Sequence, residues 1–316
     1  MILTVTLNTA IDKRYVVEDF APGAVTRVKE CNHTAGGKGL NVSRVASLLG
    51  ENVVATGFVG GYAGDFIVEE LEKSSIQSNF VKVRGESRSC VNLYNEKTGQ
   101  QTEFLEPGVT VTEADIASFQ AKFEELVRQC AVVTLSGSAP RGVPADIYQT
   151  LIAMAHKENK PVLLDTSGEL LVKGIEAKPT LIKPNTDEIQ MLTKGEALCE
   201  QDLIRLAKGL HQSGIPYVVV SRGKNGVLAV TEEGVFKGET PDIPVINTVG
   251  CGDSMIAAFA VGMERGYSSE EMLRLALAVS TANALHTRTG YIEKNDVDTL
   301  LRQVTVIPIN EKGDSI

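Results

Sequence analysis

No two cysteines of this chain stand at ligand or redox spacing. Cys31, Cys90, Cys130, Cys199 and Cys251 are scattered without a C-x-x-C pair, which fits free thiols in a reducing compartment. The four histidines, His33, His156, His211 and His286, show no ligand spacing, so a zinc site is not expected. No apolar run approaches the ~20 residues of a membrane helix. The run Met1–Leu7 lacks a basic lead-in and a cleavage site and does not read as a signal peptide. The expected location is the cytoplasm. A basic excess is also missing. The net charge of −9 argues against nucleic acid as partner, because phosphate contacts need a basic face. It leaves room for a local basic pocket around a small phosphate. Fixed-period repeats and low-complexity linkers are absent. So are both common nucleotide fingerprints: Gly223-Lys224 is followed by Asn225 rather than Ser or Thr, and no G-x-G-x-x-G follows a strand.

What is present is ordinary globular material. The chain has 316 residues, 43% apolar and 22% charged, enough for a sizeable core. Short β-branched runs recur at Ile2–Leu7, Val53–Val59, Ala131–Leu135, Val162–Leu164, Thr180–Ile182 and Tyr217–Val220. Helical patterns lie between them at Asp115–Cys130, Ala145–Glu158, Asp202–Ser213 and Ser269–Leu285. This alternation predicts an α/β fold, a doubly wound and mostly parallel sheet flanked by helices. In such a sheet the polar residues just past the strand C-termini line the ligand crevice. Asp12, Ser138, Asp165, Lys183, Asn185 and Ser221 are then expected on one edge. Residues 13–35 and 85–106 break the rhythm. They alternate polar with β-branched or aromatic residues and predict a small antiparallel β lid on a single unit spanning 1–316.

Four stretches carry chemistry. In Asn247-Thr248-Val249-Gly250-Cys251-Gly252-Asp253-Ser254, three small residues lead into a carboxylate and an apolar helix. Open backbone N–H groups and the helix dipole make an anion site there. Asp253 is either a plain N-cap or a general base beside that anion hole. Ala35-Gly36-Gly37-Lys38-Gly39-Leu40-Asn41-Val42 lets backbone approach a ligand and adds a cation at Lys38. In Lys183-Pro184-Asn185-Thr186-Asp187-Glu188, Asn185 and Glu188 stand three apart at a helix start. A capping box explains that spacing, and so does an oxygen pair for hydrated Mg²⁺. Ser221-Arg222-Gly223-Lys224-Asn225-Gly226 reads as a hairpin turn or a cradle for nucleotide phosphates. Arg27 and Arg88 are solvated arginines or phosphate clamps.

This set, in this order and spacing, resembles the PfkB, or ribokinase-like, sugar kinase family over essentially the whole chain. Gly36–Ser43 matches its first signature, Thr248–Ser254 its second, and Lys183–Glu188 its Lys-Pro-Asn-x-x-Glu element. Met1–Asn8, Thr34–Val42, Gln101–Glu106 and Thr289–Tyr291 are most similar to the phosphosugar kinases of the family. The resemblance implies ATP and Mg²⁺ as cofactors and leaves a monovalent cation open. It implies Asp253 as general base and Gly250, Cys251 and Gly252 as anion hole. It places Asp12, Gly37 and Asn41 on sugar hydroxyls, and Arg27, Lys38, Arg88 and Ser138 on the substrate phosphate. Lys183, Asn185 and Glu188 would serve the ATP phosphates and Mg²⁺. Ser221, Gly223, Gly226 and Asn283 would lie along the nucleotide. A homodimer through the lid is implied too.

The expected reaction is phosphorylation of a ketohexose phosphate, first D-tagatose 6-phosphate to the 1,6-bisphosphate, with fructose 1-phosphate or fructose 6-phosphate as alternatives. A kinase of neutral sugars or nucleosides does not need the cations Lys38, Arg27 and Arg88. A sugar-phosphate-binding regulator without catalysis does not need Asp253 among its glycines. Two departures stand out. Asn8-Thr9-Ala10 replaces the usual Asn-Pro before Asp12 and leaves that turn less rigid. Cys251 replaces a usual Ala or Ser, where only the backbone N–H is expected to matter.

Overall fold

In a computed structural model of the chain, residues 1–192 and 199–310 are described. The parts of the expected 1–316 unit at 193–198 and 311–316 lie outside the described residues.

Six parallel strands form the centre of an eleven-stranded sheet. Side by side run Val53–Val59, Ile2–Thr6, Val132–Ser136, Val162–Asp165, Leu181–Ile182 and Tyr217–Ser221. The order reverses at Ile2–Thr6, with one later strand on each side. That makes it a topological switch point, where crevices form in open α/β sheets. Beyond Tyr217–Ser221 the sheet continues antiparallel through Val227–Thr231, Gly234–Glu239 and Thr305–Pro308. Gln77–Ser78 and Val81–Lys82 extend the opposite edge, parallel to Val53–Val59.

The strands read as near-continuous apolar runs because both faces are covered. Alternate residues serve two separate cores. Ile2, Val132, Leu163, Leu181 and Val219 pack under the helices Lys38–Leu48, Cys251–Arg265 and Ser269–Ala284. Leu3, Val133, Leu135, Leu164 and Val218 pack under Glu113–Gln129, Ile147–Lys157 and Glu200–Gln212. Helix starts follow local sequence. Thr112 with Asp115 and Ser268 with Glu271 close capping boxes.

The second sheet has four strands in the order Glu30–Gly36, Ala10–Val17, Arg88–Asn95, Gln100–Leu105. Its outer pairings are antiparallel, and the middle pairing, Ala10–Val17 with Arg88–Asn95, is parallel. That central pairing joins segments far apart in sequence, so local alternation does not reveal its direction. Two rungs cross this sheet. One carries Thr34, Asp12, Cys90 and Leu105, the next Asn32, Arg14, Asn92 and Glu103.

Candidate active site

The C-terminal ends of the parallel strands and one face of the second sheet enclose a cavity of about 530 Å³. Asp12, Ser138, Asp165, Lys183, Asn185 and Ser221 all line it, together with Gly37, Lys38, Asn41, Arg88, Glu188, Gly250, Gly252 and Asp253.

The floor is the start of the helix Cys251–Arg265. Its N-cap is Gly250 in the left-handed region at φ 83°, not Asp253. A Cβ at position 250 would stand 2.8 Å from Thr289 Cγ2 and 2.9 Å from the Gly290 nitrogen, so this turn requires glycine. Asp253 falls on the first helical turn and is 6% exposed. Its Oδ2 accepts a hydrogen bond from Asn41 Nδ2 at 2.8 Å. Burial pushes its carboxyl up to about 6, against the pull of Lys38. The plain N-cap reading of Asp253 is thereby replaced, and its carboxylate faces across to another helix. The Cys251 N–H turns back to the Thr248 carbonyl at 3.3 Å. Among the described residues the N–H groups of Gly250, Gly252 and Asp253 have no protein acceptor, so the open donors sit around Cys251 rather than on it. The Cys251 thiol has a role of its own: Asn283 Nδ2 donates to its Sγ at 3.4 Å.

Two lysines stand over these donors. Lys38 Nζ and Lys183 Nζ each lie 3.5 Å from Asp165 Oδ1. Asp165 is 2% exposed, and its Oδ2 has no protein partner. Asp165 holds Lys38 well above the usual lysine range and keeps it charged. Lys38 thus shares the Asp165 carboxylate with Lys183. Asn185 and Glu188 form the capping box: Glu188 N donates to Asn185 Oδ1 at 2.8 Å and Asn185 N to Glu188 Oε2 at 2.9 Å. Both still line the cavity, so capping leaves the Asn185 amide and one Glu188 oxygen available.

At the second sheet, burial pushes the Asp12 carboxyl up to about 6, opposed by Arg44. Arg88 Nε donates to the Asn8 carbonyl at 3.3 Å and Nη1 to the Glu106 carbonyl at 3.2 Å, which aims the guanidinium along the wall. Asn8 Nδ2 donates to Ser138 Oγ at 3.3 Å. The turn before Asp12 is not loose: the buried Thr9 donates through Oγ1 to the Phe58 carbonyl at 2.7 Å, a tether in place of a proline ring.

Besides Cys251, four expected residues stand apart from the cavity. Arg27 is exposed in the loop between Val17 and Glu30. Gly223 lies in the turn that joins two antiparallel strands, as the hairpin reading has it. Gly226 is buried at φ 73°, and a Cβ there would land on the Gly238 carbonyl, so packing accounts for it. Asn283 is fully buried. Its Nδ2 donates to the Val249 carbonyl at 2.9 Å and to Cys251, and its Oδ1 accepts from Gly290 N at 2.9 Å and Tyr291 N at 3.3 Å. With both ends of its amide engaged it braces the floor from behind and has little left for a nucleotide. Lys13, Arg14, Asn32, Thr34, Asn247 and Arg288 also line the cavity and were not expected. Arg288 follows the helix Ser269–Ala284 by a few residues, and the others follow from register or from the loop before Gly250.

An α/β frame, an open helix N-terminus, a buried carboxylate beside it and a pair of lysines define a phosphotransferase built without a P-loop. The chain belongs to the pfkB family of carbohydrate kinases, whose model matches residues 3–295. It is 37% identical over 314 residues to a tagatose-6-phosphate kinase of Staphylococcus epidermidis, covering 98% of this chain and 100% of that one. Phosphofructokinase-2 from Escherichia coli in complex with substrates and products superposes with a TM-score of 0.89 at 28% identity, covering 96% of this chain and 98% of that one. A Thermotoga maritima protein described as a possible 1-phosphofructokinase superposes with a TM-score of 0.87 at 29% identity, covering 98% of this chain and all, 100%, of that one. No helix among the described residues is long and apolar enough to cross a membrane.

Proposed function

We propose that the protein transfers the γ-phosphoryl group of ATP to the 1-hydroxyl of D-tagatose 6-phosphate. The observation that carries this reading is the buried Asp253 carboxylate on the first turn of a helix whose Gly250, Gly252 and Asp253 N–H groups are open. Asp253 takes the proton of the hydroxyl as its oxygen bonds to the γ-phosphorus. The bond from that phosphorus to the β,γ-bridging oxygen breaks, and ADP leaves with the electron pair. The open amides with Lys38 and Lys183 hold the charge on the transferred group. Arg88 and Ser138 hold the phosphate already on the sugar, and Asp12 with Asn41 holds its hydroxyls. Mg²⁺ enters with ATP as substrate and neutralises phosphate charge. Asn185, Glu188 and the unpartnered oxygen of Asp165 suit an ion that keeps most of its ligands as water and phosphate oxygen.

The chain works in this reading as one ribokinase-like unit, with the second sheet as lid, in the cytoplasm where its free thiols stay reduced. Exposed Val25, Phe104 and Leu105 on or beside that sheet support pairing of two copies there. Arg27, outside its own cavity, would meet a substrate phosphate only across such an interface. The sugar is supported by the tagatose-6-phosphate kinase relative. Fructose 6-phosphate and fructose 1-phosphate are the second reading, favoured by the names of the superposable structures. Values of kcat/KM for the three sugars with Mg²⁺ and ATP test it. Tagatose 6-phosphate should lead, by tens-fold at most over its fructose epimer, because few hydrogen bonds separate them. A clear preference for fructose 1-phosphate would reject the substrate and leave the kinase chemistry standing.

A further inference from the structure

Arg44 lies one turn after Asn41 on the helix Lys38–Leu48 and is 8% exposed. Among the described residues no carboxylate lies within ion-pair distance of it. Its guanidinium is instead held by three oxygens. Nη1 donates to Asn41 Oδ1 at 3.1 Å and to the Thr289 carbonyl at 3.0 Å, and Nη2 to the Ala35 carbonyl. Burying a guanidinium with Asp12 and Glu70 nearby but no carboxylate in direct contact costs free energy that an apolar side chain of similar size avoids. Packing alone therefore does not account for it. All three acceptors belong to the cavity's frame. Ala35 precedes the glycines behind Asp12, Thr289 backs Gly250, and Asn41 holds Asp253.

A guanidinium can only donate. It therefore decides which end of the Asn41 amide faces which way. The oxygen must meet Arg44, and the NH₂ group must meet Asp253 Oδ2 at 2.8 Å. A flipped amide would set its oxygen against the carboxylate. Gly290 lets the loop after Thr289 lie directly on this pair: a Cβ there would stand 2.9 Å from Asn41 Cβ and 3.0 Å from Arg44 Nη1. We propose that Arg44 is a positioning residue that sets the Asn41 amide and, through it, the Asp253 carboxylate for proton removal. The proposal rests on reading Asp253 as the general base. The charged groups around the pair are Lys38, Lys183 and Asp165 beside Asp253, and Asp12, Glu70 and Arg288 around Arg44.

The test is a set of Arg44 variants assayed across pH with both substrates saturating. Arg44→Lys keeps the charge and loses the fork. Its kcat should fall on the order of 10²-fold, as for a displaced reacting group, with KM for ATP unchanged and the acid limb of the rate profile in place. Arg44→Met should lose similar turnover and also move that limb to higher pH, because a cation near Asp253 is gone. Combined with Asn41→Ala, Arg44→Lys should cost little more than Asn41→Ala alone. Wild-type kcat in folded Arg44→Lys, or additive losses in the double variant, would overturn the proposal. If Arg44→Met does not fold, the lysine variant and its double variant decide the matter alone. Asp253→Asn separates the two levels. If it keeps turnover, the base assignment fails. If it is inactive while Arg44→Lys is normal, only the positioning role fails.

Discussion

The eleven-stranded sheet reaches the cavity with its strand ends, the four-stranded sheet with a face. Helices cover both sides of the first, and every residue of Ile2–Thr6, Val53–Val59 and Val132–Ser136 is buried. Every residue of the edge strand Gln100–Leu105 in the second is exposed. The groups read as acting on the transferred phosphoryl, Asp253, Lys38, Lys183 and Asp165, all come from the covered frame. Asp12 and Arg88, read as holding the sugar, come from the open sheet. Chemistry that needs fixed, desolvated groups sits where packing over-determines position. Part of the recognition, through Asp12 and Arg88, sits on the more open sheet, while Asn41 and Ser138 belong to the frame.

The largest effect expected is on turnover. Asp253→Asn should keep the fold and ATP binding and lose roughly 10²–10⁴-fold in kcat. In the wild type, kcat/KM should fall as pH drops through about 6, because the buried carboxylate must be ionised to act. Next is the frame itself. Phe119 is fully buried, 5.1 Å from the Phe58 ring and 6.2 Å from Phe123 between centroids. Phe119→Ala should cost about 3–5 kcal/mol in denaturant unfolding. In the single chain, diluted until the copies separate, Phe104, 52% exposed on the open sheet, should change stability by no more than about 0.5 kcal/mol when made Ala. Equal losses at the two positions would erase the contrast between the sheets. Arg88→Ala should raise KM for the phosphosugar about 10- to 100-fold, the value of one charge-assisted contact, and leave KM for ATP nearly unchanged. Equal effects on both substrates would move Arg88 away from the sugar phosphate.

One further effect has an unusual sign. Burial raises the Asp253 carboxyl from 3.8 to about 6 in the folded chain. Between those values the native state binds more protons than the unfolded state, so stability falls as pH rises through that window. Asp253→Asn, neutral at every pH, escapes that loss. Its unfolding free energy at pH 7.5 should exceed that of the wild type by an amount on the order of 1–3 kcal/mol, and the gain should shrink toward pH 4. A destabilised variant at neutral pH would mean that the carboxylate is satisfied rather than strained.

Much of the frame could be read from residue order. The apolar runs of the parallel strands and the helical patterns between them sit within a few residues of the observed elements, because both period and burial are written locally. The converging strand ends followed from that topology. What stayed hidden depends on long-range register. Arg14, Asn32 and Asn92 form a rung only once Ala10–Val17 pairs with strands on both sides. Nothing near Arg44 in sequence distinguishes it from a solvated helix arginine. The resemblance implies Asn283 along the nucleotide, and only its contacts with Val249, Cys251, Gly290 and Tyr291 place it behind the floor. Asn185 and Glu188 show why motif spacing alone could not choose: one geometry serves both the cap and the cavity.

Gly36 lies against Asp12 so closely that any Cβ there would fall on the carboxylate. Every amino-acid change one base away from a glycine codon adds at least that atom. Any substitution at position 36 must therefore displace the Asp12 carboxylate. Two residues beyond Asp12, the rung of Arg14, Asn32 and Asn92 carries no such restriction. A lineage shifting from one phosphosugar to another therefore has its open road through that outer rung.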